Sequence, residues 1–347
     1  MDSSKAAKSR LAIVRPTHSM LRTGDLRDAA VQGFGISSVA DCRLQRSFIN
    51  DTYRLEAGER SWFLRVSPST WRTVSEVEVE IDFVRALGAA GAPVIEPVPL
   101  TDGSGFVLEL VAPEGPRPAA LFAGASGAEP AFTNNPDALA IARRYGRVSA
   151  RLHALADGLP AIVGRPPMDL DAMLRRPLAV VAAQLEQPEA RDDLARIGAR
   201  LMTALSSAPL TLGFAHGDLN SANILFADGG ETVIDFDCCG WGYRANDIAA
   251  FARGVTPTRL PGADASSLIS AQLAGYVEVS PIPPADAAAI PAFIVVQRLW
   301  MASLHYDRQD RFGLASFGPA YTARLLEWLR AWEAVLDEPP DWLAATG

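Results

Sequence analysis

The chain has 347 residues, 49% hydrophobic and 21% charged, with a formal net charge of −8 at pH 7. That length exceeds one ordinary domain and suits two lobes sharing a cleft, and the hydrophobic fraction can bury a sizeable core. The acidic balance argues against general nucleic-acid binding, three cysteines make no disulfide framework, and no long apolar stretch follows Lys5, Lys8 and Arg10 as a secretory signal would. A cytoplasmic, reducing setting is therefore expected, and the net charge mildly favours a cationic substrate.

In chain order, residues 1–22 read as a loose arm, and Thr23 caps a helix that stops at Gly33. Three antiparallel strands follow at 43–46, 52–55 and 61–66, with Ala57-Gly58 turning the second into the third. A helix spans 74–87, and 105–111 reads as the last strand of a small lobe. Residues 112–134, rich in Ala, Gly and Pro, form the natural lobe boundary.

The second half reads as helical. Asn135 caps and Pro136 opens a helix whose apolar residues Ile141, Tyr145, Val148, Leu152 and Leu155 recur at helical spacing until Gly158. His153 on it reads as structural. Further helices are expected near 191–205, 264–276, 285–306 and 321–336, the last with a core stripe of Leu325, Trp328, Leu329, Trp332 and Leu336. The apolar run 289–306 could pass for a membrane span, but Pro291, Gln297 and Arg298 interrupt it, which makes it a core helix.

The chemistry concentrates in His216-Gly217-Asp218-Leu219-Asn220-Ser221-Ala222-Asn223 and in Ile234-Asp235-Phe236-Asp237. Phosphoryl transfer needs a nucleophile held in line and metal ions that neutralise charge on the phosphate oxygens. Asp218 stands where it can orient an acceptor hydroxyl and take its proton. A hairpin turning at Asp228-Gly229-Gly230 brings Asn223 and Asp235 side by side to hold Mg²⁺. His216, Asp218 and Asn223 keep the spacing of H-R-D-x-x-x-x-N, with Gly217 in place of the Arg. Cys238 and Cys239, just after Asp237, read as small packing residues.

These motifs, with Asn246-Asp247-Ile248-Ala249, resemble the aminoglycoside phosphotransferase family, which includes choline kinases and homoserine-kinase-like enzymes. The resemblance runs from about residue 47 to the C-terminal helices. It implies an α+β, bilobal protein-kinase-like fold: a small N-terminal antiparallel β-sheet lobe and a larger, mainly helical C-terminal lobe. The expected division is an arm at 1–22, a nucleotide-binding lobe at 23–111 and a helical lobe at 112–347. It makes Asp218 the catalytic base, supported by His216, makes Asn223 and Asp235 the metal ligands, and gives Asp247 the bracing of the catalytic loop.

On this frame Ser47 and Asn50 lie in the phosphate-covering loop, although it has no G-x-G-x-x-G. Arg65 stands where the family's usual Lys contacts nucleotide. Lys5 and Lys8 are the only lysines in the chain, so a general bias toward Arg accounts for the exchange, and Glu80 is its expected partner, with Glu76 the alternative. Glu109 to Val111 would offer hinge backbone to an adenine edge. Asp237, Arg298, Trp300, His305 and Tyr306 are candidate acceptor contacts. The implied function is transfer of the γ-phosphoryl group of ATP, or GTP, with Mg²⁺, to a hydroxyl of an amino alcohol, antibiotic or sugar. Alternatives are a Ser/Thr protein kinase of the stress-response type and a nucleotide-binding pseudokinase scaffold. Absence of the Arg at Gly217, and only about ten residues between Asp237 and Asp247, imply a site assembled without activation-loop phosphorylation. Neither a nucleic-acid nor a membrane partner is expected.

Overall fold

A computed structural model describes residues 14–37, 39–256, 263–338 and 340–346. It is bilobal. The first lobe is built on strands β1 (Asp41–Ser47), β2 (Asp51–Ala57), β3 (Arg60–Val66), β4 (Val107–Ala112) and β5 (Gly115–Ala123), paired antiparallel in the order β1-β2-β3-β5-β4. Period-two alternation decides what each face does. Tyr53, Leu55, Leu64, Val66 and Leu121 point to one face and bury against Leu26, Ala30 and Phe34 of helix α1 (Thr23–Phe34). Thr52, Phe63, Arg65 and Phe122 alternate to the opposite face, which roofs the cleft. Helix α2 (Val74–Ala89) covers part of that face with Val77, Ile81 and Val84. It starts in a capping box, Thr73 accepting from the Glu76 backbone while Glu76 accepts from the Thr73 N–H. Such a cap is worth about 1 kcal/mol.

The first-lobe expectation needs two corrections. Residues 105–111 do not supply the last strand before the hinge: β4 is an edge strand, and β5, inside the stretch read as the lobe boundary, lies between it and β3. An Ala- and Pro-rich strand is invisible to propensity because it is selected by burial between neighbours. The expected arm is also not loose where it is described. Ser19 bonds Glu114 through both its N–H and its hydroxyl, and Arg117 donates to the Ser19 carbonyl. Residues 1–13 of that arm lie outside the described residues.

The second lobe comprises α3 (Ala138–Asp157), a π-helical turn at Asp171–Arg175, α4 (Arg176–Ala182), α5 (Pro188–Ser207), α6 (Arg244–Val255), α7 (Ala263–Val277), α8 (Pro284–Tyr306), α9 (Gln309–Phe312), α10 (Leu314–Phe317) and α11 (Pro319–Val335). Two small sheets carry the cleft floor, β6 (Leu212–Ala215) with β9 (Gly240–Tyr243), and β7 (Ile224–Ala227) with β8 (Gly230–Val233). Helix α8 is long and apolar enough to cross a membrane, yet 83% of its most apolar stretch is buried inside this lobe, where Phe293, Val296 and Leu299 fill the core. It is the core helix that its polar interruptions imply.

Helices α3 and α7 cross at van der Waals contact of their backbones. A Cβ on Gly146 would sit 1.9 Å from the Gln272 carbonyl oxygen, and one on Gly275 would sit 1.9 Å from that of Arg143. This crossing presents His153 of α3 to Tyr276 of α7. Gly146→Ala is expected to cost about 3 kcal/mol, since backbone cannot yield as a side chain can. Gly24→Ala, in α1 with nothing within 4 Å, should be neutral or stabilising by up to about 1 kcal/mol. Urea denaturation of the two variants checks the contrast.

Candidate active site

The loop from β6 to β7 holds the His216–Asn223 motif, and a carboxylate from α6 shapes it. Asp247 accepts from the backbone N–H groups of His216 (2.5 Å) and Gly217 (2.8 Å) and meets His153 Nε2 at 3.1 Å. The Tyr276 hydroxyl lies 2.8 Å from His153 Nδ1, so a neutral His153 donating through Nε2 satisfies all three groups. Gly217 is required twice over. Its φ is +85°, and a Cβ would stand 2.4 Å from the Cys238 carbonyl oxygen, which leaves no room for the Arg that protein kinases keep there. His216 is fully buried; its Nε2 donates to the Ile234 carbonyl at 2.9 Å and its ring lies 4.6 Å from that of Phe236. It therefore ties the loop to β8 and does not reach the cleft, so it is a positioning residue rather than a catalytic one.

Between the lobes lies a cleft of about 530 Å³. Phe63, Ile95, Phe122, Leu225 and Ile234 give it apolar walls, and Asn223, Arg65 and Asp235 stand at its polar end. The β7–β8 hairpin does what its turn residues imply: Ile234 N–H donates to the Asn223 carbonyl at 3.0 Å, bringing Asn223 and Asp235 together. The Asn223 side-chain amide donates to the Asp218 carbonyl at 2.7 Å, leaving its oxygen for a cation. Asp235 takes a left-handed backbone, φ +62° and ψ +61°, costly for a residue with a Cβ. Its side chain opens to the cleft (46% exposed) while the residue sits deep between the lobes. Burial pushes its carboxyl up to about 6; Arg65 at 3.9 Å opposes this, and the charges of Asp237 and Asp218 add to it.

Arg65 forms a two-pronged pair with Glu80, at 2.7 and 2.8 Å, both side chains buried. The inward acid is thus Glu80, while Glu76 is used in the α2 cap. Glu78, on the same helix, accepts from the Phe106 and Val107 N–H groups and anchors β4. Asp237 is almost fully buried and is not among the residues lining the cleft: Trp71 Nε1 donates to it at 2.6 Å, Arg72 lies 3.7 Å away, and Arg165 donates to its carbonyl. Burial works against its charge, but these cations and Arg65 outweigh it and hold the carboxyl below the usual range. Cys238 and Cys239 are buried free thiols, raised by burial, as packing residues are.

Other expected contacts fall elsewhere. Glu109 and Val111 lie on the edge strand, away from the cleft, with Val111 94% exposed. The chain between the lobes instead passes through residues 124–129, of which Ala125, Gly127, Ala128 and Glu129 line the cleft. Ser47 and Asn50 are absent from the lining, which Gln45, Arg46 and Thr52 supply from β1 and β2. The Ser47 hydroxyl donates to Asp51 at 2.7 Å, and Arg311 of α9 reaches Ser47, Asp51 and the Phe48 carbonyl, clamping the β1–β2 loop across the lobes. Trp300 is core, and the Tyr306 hydroxyl meets Thr322 at 2.7 Å inside the second lobe. Arg298 and His305 are partly buried, Arg298 over the Trp328 ring and His305 stacked on Phe317. Arg253 carries no motif signal, yet it pairs directly with the Asp218 carboxylate.

A family model described as the phosphotransferase enzyme family matches residues 42–282. The chain belongs to this family. It is 35% identical over 320 residues to an uncharacterized protein of Deinococcus radiodurans, covering 91% of each chain. Among solved structures it is similar to a microcompartment-associated aminopropanol kinase (TM-score 0.75, 26% identity, 90% of this chain and 98% of that one). It is also similar to an amicoumacin kinase (TM-score 0.73, 19% identity, 92% of this chain and 95% of that one). The fold is protein-kinase-like, and the chain is a phosphotransferase.

Glu80→Ala strands the buried Arg65 guanidinium and should cost about 3–5 kcal/mol in urea denaturation. A pH effect follows from His153, whose pKa burial lowers from its ordinary value. The unfolded chain takes up this proton first, so stability is full above about pH 6.5 and falls as the solution is acidified. His153→Gln should flatten that part of the profile.

Proposed function

We propose that the chain is an ATP-dependent kinase of a small-molecule hydroxyl, with Asp218 as base. The observation that carries this is the convergence of Asn223, Asp235 and the Arg65–Glu80 pair at the polar end of the cleft, with Asp218 close enough for its charge to act on Asp235. The likeness to an aminopropanol kinase and an amicoumacin kinase supports a small acceptor. Adenine would fit between the apolar walls, its edge read by backbone groups of residues 125–127.

The donor set fits a magnesium ion. Asn223 offers one oxygen and Asp235 an electrostatically disfavoured carboxylate, and hard, oxygen-rich, partly hydrated coordination with nucleotide phosphates is what Mg²⁺ takes. When bound, the ion would supply charge neutralisation at the phosphates. The residues do the rest. Arg65, oriented by Glu80, offers a guanidinium to phosphate oxygens. Asp218 accepts the acceptor's hydroxyl proton as that oxygen bonds to the γ-phosphorus and the bond to the β-phosphate oxygen breaks, releasing ADP. Arg253 holds the Asp218 carboxylate in one orientation.

The test is Mg²⁺-dependent transfer from labelled ATP and GTP to a panel of small hydroxyl acceptors. Asp218→Asn should lower kcat about 10²–10⁴-fold with nucleotide affinity kept within a few-fold. Asp235→Asn should weaken Mg²⁺-nucleotide binding as well, read by calorimetry. Unchanged kcat in Asp218→Asn would remove Asp218 from the base role.

A further inference from the structure

The acceptor side of Asp218 is unlike what the chain's net charge suggests. Three arginines of the second lobe bear together on the ring of His305: Arg253 on α6, which pairs with Asp218, Arg298 on α8 and Arg308 just beyond it. Arg253 is taken by Asp218 itself. Among the described residues neither Arg298 nor Arg308 has a carboxylate within ion-pair distance. Arg298 lies over the Trp328 ring at 5.2 Å, within the field of Arg253, and its Nε is buried with no hydrogen-bond partner. Arg308 donates to the Leu304 carbonyl and lies over Phe48 and Trp71, at 5.8 and 5.2 Å. His305, between them, feels all three charges and is pushed down to about 4, with burial the larger cause. It stays a neutral ring, stacked on Phe317 and bonded to the Tyr321 hydroxyl at 2.7 Å.

A guanidinium does not lose its proton, so a partly buried one with unmet donors carries a standing desolvation cost. Stacking on Trp328 offsets some of it. An oxyanion offset by two hydrogen bonds would remove the rest, and the planar fork of Arg is shaped for that partner. Of the acids nearby, Asp237 is engaged by Trp71 and Arg72, Asp51 by Arg117 and Arg311, and Asp218 by Arg253. Asp307, beside Arg308, is solvent-exposed. Asp307 apart, an ammonium ligand would therefore meet guanidinium groups there and no free carboxylate.

We propose that the acceptor carries an oxyanion, a carboxylate or a phosphate ester, beside its hydroxyl, and that Arg298 and Arg308 hold it. This rests on the kinase reading and narrows its substrate class. Arg298 then sets which molecules bind, while Asp218 acts on the hydroxyl they present.

The experiment is steady-state transfer from labelled Mg-ATP to matched acceptors: glycerate and 4-hydroxybutyrate, glycerol 3-phosphate, ethanolamine and 1-amino-2-propanol, and neutral glycerol. At least one anionic acceptor should exceed the amino alcohols in kcat/KM by about 100-fold, and the carboxylate and phosphate arms tell the two oxyanions apart. Arg298→Gln should raise KM for that acceptor about 30-fold or more, with kcat and the KM for ATP little changed and glycerol unaffected, and Arg298→Lys should restore part of the loss. Should Arg298→Gln not fold, judged by its thermal midpoint, Arg308→Gln is read the same way. Equal or better use of an amino alcohol, or a loss in kcat alike for all acceptors, overturns the proposal and leaves the kinase reading standing. No transfer to any acceptor overturns both.

Discussion

The catalytic loop hangs on one buried carboxylate. Asp247 receives two consecutive backbone N–H groups of the loop and the ring of His153, and so satisfies all three with one side chain. Charge-assisted bonds in a dry interior are stronger than neutral ones, and an unpaired member is costly, so the loop has one geometry. From that fixed start His216 pins Ile234 at the end of β8, Gly217 threads between Cys238 and Met168, and the Asp218 carboxylate pairs with Arg253. The close crossing of α3 and α7 serves the same anchor, because it sets where His153 and Tyr276 meet.

The lobes are joined by charge as well as by chain. Arg65–Glu80 lies within the first lobe, and Arg165 extends it to the Asp237 carbonyl of the second. Trp71 and Arg72, from the loop before α2, reach Asp237, while Arg311 of α9 reaches Asp51 and Ser47. Each contact ties the first lobe to the second. The segment after Asp237, which in many protein kinases is a regulated loop, is here β9, paired with β6.

Much of this was legible in the residues. The strands β1 to β3, the helix carrying Glu80, the β7–β8 hairpin and the long helices of the second lobe each carry a local signal: alternation, a cap, a glycine turn or helical spacing. The Arg65–Glu80 pair was legible because a buried Arg demands an acid on the facing helix. The hinge was not. β5 contains two prolines and a run of small residues, and only its place between β3 and β4 makes it a strand, so Glu109 and Val111 fall on the sheet's edge. Trp300 and Tyr306 were misplaced for a related reason: a helix buried on nearly every side gives no pattern that tells core from cleft.

The sequence by itself determined the reaction class, because Asp218, Asn223 and Asp235 lie within one loop and one hairpin whose spacing is set by short-range geometry. It also determined the bilobal division, since strand-period and helix-period segments separate along the chain. Tertiary structure alone decided which charges pair around the motifs. Arg253 lies 35 residues from Asp218 and pairs with it only when α6 packs, and the packing of α8 and α9 alone puts Arg298 over Trp328, Arg308 over Trp71 and Arg311 on Asp51. Net charge is a sum over the whole chain, whereas the field in a cleft is set by the few groups left unpaired there, and pairing is a property of the fold.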